Sequence, residues 1–118
     1  MKPNEYQQEA LRTCLLDYEK FKNIDSRIRH IIHAHLGISS EGGEIADAIK
    51  KHVIYGQLLD TDNLLEECGD MLWYVSLMVS ACNSTMEQVM EMNIAKLRKR
   101  YPNKFTEELA AKRLDKLM

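Results

Sequence analysis

Two short patterns put acidic residues where the apolar periodicity calls for core: Glu41-Gly-Gly-Glu44 and Glu67-Cys-Gly-Asp70. Each is an i, i+3 pair, so on a helix both carboxylates lie on one face, about 5 to 6 Å apart at Cβ. On antiparallel neighbouring helices the two pairs can meet. Four converging carboxylates repel one another and lose solvent, which raises their pKa values unless cations neutralise them. A metal site resolves that conflict. The donors are all hard oxygens, and no Cys or His is paired at ligand spacing, which selects Mg²⁺, Mn²⁺ or Ca²⁺ over Zn²⁺. Either pair alone reads as decoration of a solvated helix face. Two pairs, both with an internal glycine and both beside apolar neighbours, read as a metal centre.

Gly42, Gly43 and Gly69 fall inside the predicted helices, where each costs about 1 kcal/mol relative to Ala. Close approach of a partner helix, or room for a phosphate and its metals, would offset that cost. Asp47 and Glu66 stand beside the two pairs, as outer supports of the ligands or as solvated acids.

The elements that must position these residues are helical throughout. Pro occurs only at Pro3 and Pro102, and Leu, Met, Glu, Lys and Ala dominate. A first helix is expected from Asn4, capped by its side chain with Gln7 three residues on, to near Lys22, with Leu11, Cys14, Leu15 and Tyr18 on one face. A second runs from Ser26 to about Tyr55, with Ile28, Ile31, Ile32, His35, Ile45, Ala48 and Ile49 inward, a possible break at residues 37–40 and a stop at Gly56. Asn63 and Glu66 offer a capping box for a third helix, apolar on more than one side, that carries Leu64, Leu65, Cys68, Met71, Leu72, Val75, Met78, Val79 and Cys82. Ser84 and Glu87 form a capping box for a fourth, with Val89, Met90, Ile94 and Leu97 inward, ending at Tyr101-Pro102. Thr106 caps a short terminal helix reaching Leu117. The expected fold is all-α: one domain spanning residues 1–118, four-helix-bundle-like, with a tail after Pro102 that is mobile or packs on a neighbouring subunit.

Composition narrows the function. A chain of 118 residues has the size of one domain, and its net charge of −2 lacks the basic excess of a nucleic-acid binder. Cys14, Cys68 and Cys82 form no CxxC pair and are expected as buried, reduced thiols. The first residues carry Lys2, Glu5 and Glu9 rather than a signal peptide, and the apolar stretch from Met71 to Cys82 is shorter than the roughly 20 residues that span a bilayer. The expectation is a soluble, cytoplasmic protein with no membrane partner.

From His33 to Pro102 the sequence resembles the MazG-like nucleoside triphosphate pyrophosphohydrolases, whose signature is ExxE followed, after a connection, by ExxD. Three segments carry the likeness: His33 through Glu41-Gly-Gly-Glu44 to Lys51, then Leu65-Glu-Glu67-Cys-Gly-Asp70-Met-Leu-Trp-Tyr74, then Asn93-Ile-Ala-Lys96-Leu-Arg-Lys-Arg100-Tyr-Pro102. The resemblance implies Mg²⁺-dependent hydrolysis of nucleoside triphosphates to monophosphate and pyrophosphate, with Glu41, Glu44, Glu67 and Asp70 as metal ligands and catalytic residues. It further implies substrate-phosphate contacts from Asn93, Lys96 and Arg100, and a homodimer or homotetramer. Asn93, Lys96 and Arg100 form one stripe of a helix at i, i+3 and i+7, where two cations can hold a triphosphate. Ser40, Gly42 and Cys68 depart from the commoner family pattern without replacing a ligand.

His33, Trp73 and Tyr74 are candidates for base contact, since an aromatic at a pocket edge stacks on a nucleobase; an aromatic at helical spacing also serves as core. Lys50 and Lys51 reach phosphates or cover an exposed face. Di-iron chemistry is disfavoured, because no His follows a Glu at Glu-x-x-His spacing. The rival reading is a non-catalytic helical module that binds a partner or nucleic acid through the basic run from Lys96 to Arg100, which leaves the paired acids without a purpose.

Overall fold

The computed structural model describes residues 1–14 and 23–116. These form α1 (Pro3–Leu11), α2 (Ser26–Val53), α3 (Thr61–Ala81), α4 (Met86–Arg100) and α5 (Glu107–Lys112), closed by a 3₁₀ turn at Leu114–Lys116, with no strand among them. The fold is all-α, as the composition requires. No helix of the described residues is long and apolar enough to cross a membrane.

The dominant packing is α2 against α3, an antiparallel hairpin. Residues 37–40 do not break α2, which runs unbroken through them. Gly37 is instead the point of closest approach: a Cβ there would fall inside the Tyr74 ring. Ala34, one turn earlier, is fully buried, as is Ser76 two residues beyond Tyr74. The Ser76 hydroxyl donates to Leu72 O at 2.9 Å, so a polar side chain is tolerated in the seam. Gly42, Gly43 and Gly69 meet nothing within 4 Å, so close helix approach is not their use; space beside the acids is what they leave.

Helix α1 lies across α3 and the start of α4. It begins at Pro3, whose missing N–H suits a first helical position, and the Glu5 carboxylate accepts from Lys2 N–H at 3.4 Å. The helix ends at Leu11, capped at Arg12, so it stops well short of the expected Lys22 and Cys14 lies in the bend beyond it; Leu15, Tyr18 and Lys22 lie outside the described residues. Asn4 and Gln7 do not cap their own helix. They cap α4: the Gln7 Oε1 accepts from Met86 N–H (2.8 Å) and the Asn4 Oδ1 from Glu87 N–H (3.0 Å). Gln7 Nε2 also donates to Ser80 Oγ (2.8 Å) and Ser84 O (3.0 Å). Gln7 is buried and fully partnered, so removing it would strand donors and acceptors at a cost of about 1 to 3 kcal/mol each.

The other caps shift by a residue or more from the expected ones. Asp60, rather than Asn63, caps α3 and accepts from Asn63 N–H at 3.0 Å. Thr85, rather than Ser84, caps α4 and accepts from Gln88 N–H at 3.2 Å, while Ser84 Oγ bonds the Gln88 side chain. In both cases several hydroxyl or acidic residues lie together and the chain direction selects among them. Gly56, at φ +69, stops α2 as expected, and Thr106 caps α5, accepting from Leu109 N–H at 3.1 Å. Helix α5 ends at Arg113 (φ +50), and the tail folds back on α4, where Asp115 stands 3.8 Å from Arg100 and 3.4 Å from Arg113. Leu117 lies outside the described residues.

Much of the expected inner face is open to solvent. Ile28, Ile32 and Ile49 of α2 and Val89, Met90, Ile94 and Leu97 of α4 are exposed, as is His35. The apolar periodicity is real, but one chain does not supply enough partner surface to cover it. The cysteines follow the same pattern: Cys68 and Cys82 are exposed and Cys14 half-buried, so the expectation of buried thiols fails.

Gly37→Ala is expected to destabilise the protein by about 1 to 3 kcal/mol, since the added methyl must push Tyr74 off α2. Urea unfolding monitored by circular dichroism measures it, and an unchanged midpoint would sink the register argument.

Candidate metal centre

The Gly37–Tyr74 contact fixes the register of α2 on α3. One turn on from Gly37 stands Glu41, and one turn back from Tyr74 stands Asp70; the next turns carry Glu44 and Glu67. Ligand atoms of Glu41, Glu67 and Asp70 accordingly lie within 4.8 Å of one another. Glu41 and Glu67 are half-buried and Asp70 is exposed. Glu44 stands outside this triad, yet its charge acts on Glu67.

The carboxylates of the triad act strongly on one another. The Glu41 carboxyl, hydrogen-bonded to a protonated Glu67, is the largest influence pushing Glu67 up to about 7, followed by desolvation and the charges of Glu41, Asp70 and Glu44. Glu67 Oε2 is buried and finds no hydrogen-bond partner among the described residues. An orphaned carboxylate oxygen among other carboxylates fits a hard divalent cation, which would supply the missing positive charge.

Two clefts of about 410 Å³ flank the carboxylates. One is lined by Glu41, Asp70, Trp73 and Tyr74. His33 meets this aromatic wall edge-on, its ring 6.3 Å from Trp73 and 5.7 Å from Tyr74, and the Trp73 and Tyr74 rings are 5.0 Å apart. The other is polar and includes Glu44, Asp47, Lys51, Asp60 and Asn63. Lys51 feels the Glu44 charge and pairs with Asp47 at 2.9 Å, while Lys50 reaches the same carboxyl at 3.6 Å. Those lysines hold the Asp47 carboxyl below its ordinary range. Asp47 is thereby committed to neighbours on its own helix.

The cationic stripe of α4 is not brought to the carboxylates within one chain. Helix α4 packs on α1, α5, the terminal turn and the end of α3. Asn93 and Lys96 are exposed, and Arg100 is half-buried, paired with Asp115 and placed 5.3 Å from the Tyr101 ring centre. Residues the sequence reading overlooked stand closer. Tyr6 donates to Gly69 O at 3.4 Å, and burial followed by the Asp70 charge raises its phenol pKa. Thr13 holds the Trp73 indole. No local pattern marks these two, because their partners are some sixty residues away.

A family model, that of the MazG nucleotide pyrophosphohydrolase domain, matches residues 32–105, more than half of the chain. The chain belongs to that family, which is generally dependent on divalent metals and points to a nucleotide pyrophosphohydrolase activity. Comparison with curated proteins and with solved structures gives no match.

The raised Glu67 pKa makes stability depend on pH. Between the ordinary 4.5 and about 7 the folded protein holds a proton that the unfolded chain releases. This contribution is therefore full below the lower value and lost as pH rises through the upper one. The metal-free protein is expected to show a Tm that falls between about pH 5 and pH 7. Mg²⁺ should raise Tm above that range, where Glu67 is already ionised, and when added within it should displace the Glu67 proton. Differential scanning fluorimetry of the wild type and Glu67→Gln checks this: the variant should lose both the slope and the response to Mg²⁺, and identical profiles would contradict the assignment.

Proposed function

We propose that this protein is a Mg²⁺-dependent pyrophosphohydrolase, with Mn²⁺ as a substitute, that converts ribo- or deoxyribonucleoside triphosphates to monophosphate and pyrophosphate. The observation that carries the reading is the convergence of Glu41, Glu67 and Asp70, from both acidic pairs, inside a region that matches a nucleotide pyrophosphohydrolase family. When bound, the divalent ion supplies charge neutralisation on phosphate oxygens and a more acidic water for attack at the α-phosphorus.

The chain's own groups divide the remaining work. Glu41, Glu67 and Asp70 hold the cation, and Glu44 joins them or orients the attacking water from the next turn. His33 and Trp73 form the wall for the base, beside the cleft that Glu41 and Asp70 line. Lys51, on the opposite side, faces the polar cleft. In this reading the whole chain acts as one domain in the cytoplasm, where free thiols stay reduced.

The enzyme in this reading is a homodimer or homotetramer. The chain exposes 8924 Å², against about 6600 Å² for a compact monomer of its mass. Its radius of gyration is 17.8 Å, against about 13.5 Å for a compact chain of this length. The excess area is of the size that an obligate interface covers. Leu65, Cys68 and Leu72 form one exposed stripe of α3 at i, i+3 and i+7, and Met90, Ile94 and Leu97 form another on α4. A second copy laid on these stripes covers them and lets Asn93, Lys96 and Arg100 reach substrate phosphates from across the interface. Sedimentation velocity should give a dimer or larger, and Leu72→Glu a smaller species. A monodisperse monomeric wild type would overturn the assembly.

Incubation with a panel of nucleoside triphosphates, with and without Mg²⁺, followed by anion-exchange chromatography, tests the reaction. Monophosphate and pyrophosphate are expected only with metal, with at least a hundredfold loss of rate in Glu67→Gln. Diphosphate and orthophosphate would place attack at the wrong phosphorus. No turnover would favour a binding module instead.

A further inference from the structure

Helix α1 lies wholly outside residues 32–105, the span that matches the family. It nevertheless braces the turns of α3 that carry Asp70 and the aromatic wall. Tyr6 reaches Gly69 O on the near side of Asp70, and just beyond α1 Thr13 reaches Trp73 on the far side. The second contact has a defined direction. Trp73 Nε1–H donates to Thr13 Oγ1 at 2.9 Å, and the Thr13 hydroxyl donates onward to Ala10 O at 2.7 Å. The hydroxyl proton is therefore committed to α1, which leaves the oxygen facing the indole as an acceptor only.

An indole fixed at its N–H cannot swing about χ2 without breaking that bond. Its faces are otherwise set by edge-on contacts with His33 and Tyr74. Trp73 lines the cleft that also contains Glu41 and Asp70. The plane of the indole thus decides how much flat surface a base finds at a fixed distance from the carboxylates.

We infer that Thr13 is a positioning residue that sets the plane of Trp73, and that through it the N-terminal helix tunes which nucleobases fit beside the carboxylates. The inference rests on the nucleotide reading above. It assigns a selectivity role to a segment that lies outside the family match and reaches α3 through Gly69 O and the Trp73 indole.

The chain holds a single tryptophan, so its emission reports Trp73 alone. The test compares wild type, Thr13→Val, which keeps the shape and loses the acceptor, and Thr13→Ser, which restores it. Two readouts are used: emission and acrylamide quenching of the free protein, and kcat and KM for purine and pyrimidine nucleoside triphosphates. Thr13→Val is expected to shift Trp73 emission and to raise KM about two- to tenfold, the range that one net hydrogen bond sets. The rise should be larger for purines, whose two rings overlap more of the indole, with kcat changed less than KM and with Thr13→Ser close to wild type. An active enzyme whose Thr13→Val variant keeps wild-type emission and KM overturns the proposal, as does a KM change equal for all bases. A wild type that turns over no nucleotide overturns both this proposal and the reading beneath it, and is told apart by the wild-type assay alone.

Discussion

The closeness of α2 and α3 at Gly37 is the constraint on which the site depends. Because residue 37 has no side chain, the Tyr74 ring lies against the α2 backbone, and the two helices are locked in register at that point. Helical periodicity then does the rest. Residues one turn along each helix from the contact must face each other, and these are Glu41 and Asp70, with Glu44 and Glu67 beyond. A slip of one residue would rotate a carboxylate by about 100° and disperse the cluster.

That register brings together groups that oppose folding. Glu67 is driven toward its protonated form by Glu41, by lost solvent and by the remaining acids, and one of its oxygens has no hydrogen-bond partner among the described residues. A divalent cation held there, as proposed, would relieve this repulsion, and stability without metal would then be traded against affinity for metal, a coupling common to sites in which binding energy is also folding energy. The glycines beside the acids, which meet nothing within 4 Å, keep the approach to those oxygens open.

The N-terminal helix ties the parts together through polar rather than apolar contacts. Gln7 and Asn4 satisfy the first donors of α4, and Gln7 also engages the end of α3. Buried amides in such a role specify geometry more sharply than apolar packing, because each bond has one direction and an unmet partner is costly. The α3–α4 corner, and with it the direction in which α4 departs, is held by side chains from the other end of the chain.

Local sequence determined a good deal. Periodicity and composition placed the second, third and fourth helices nearly where they are observed but ran the first too far past Leu11, with Gly56 and Thr106 acting as stop and cap through φ freedom and a hydroxyl acceptor. The i, i+3 spacing of the acids, with the helices as antiparallel neighbours, was enough to expect the two pairs to meet, and the structure brings together Glu41, Glu67 and Asp70 while leaving Glu44 outside. Tertiary structure decided what those rules leave open. It made Gly37 a point of contact instead of a break, because only a facing ring gives a missing side chain its use. It assigned Asn4 and Gln7 to α4 instead of α1, because a cap belongs to whichever unpaired N–H groups come within reach. It left Asn93 and Lys96 apart from the acids, and brought in Tyr6 and Thr13, since distance along the chain carries no information about which helix faces cross.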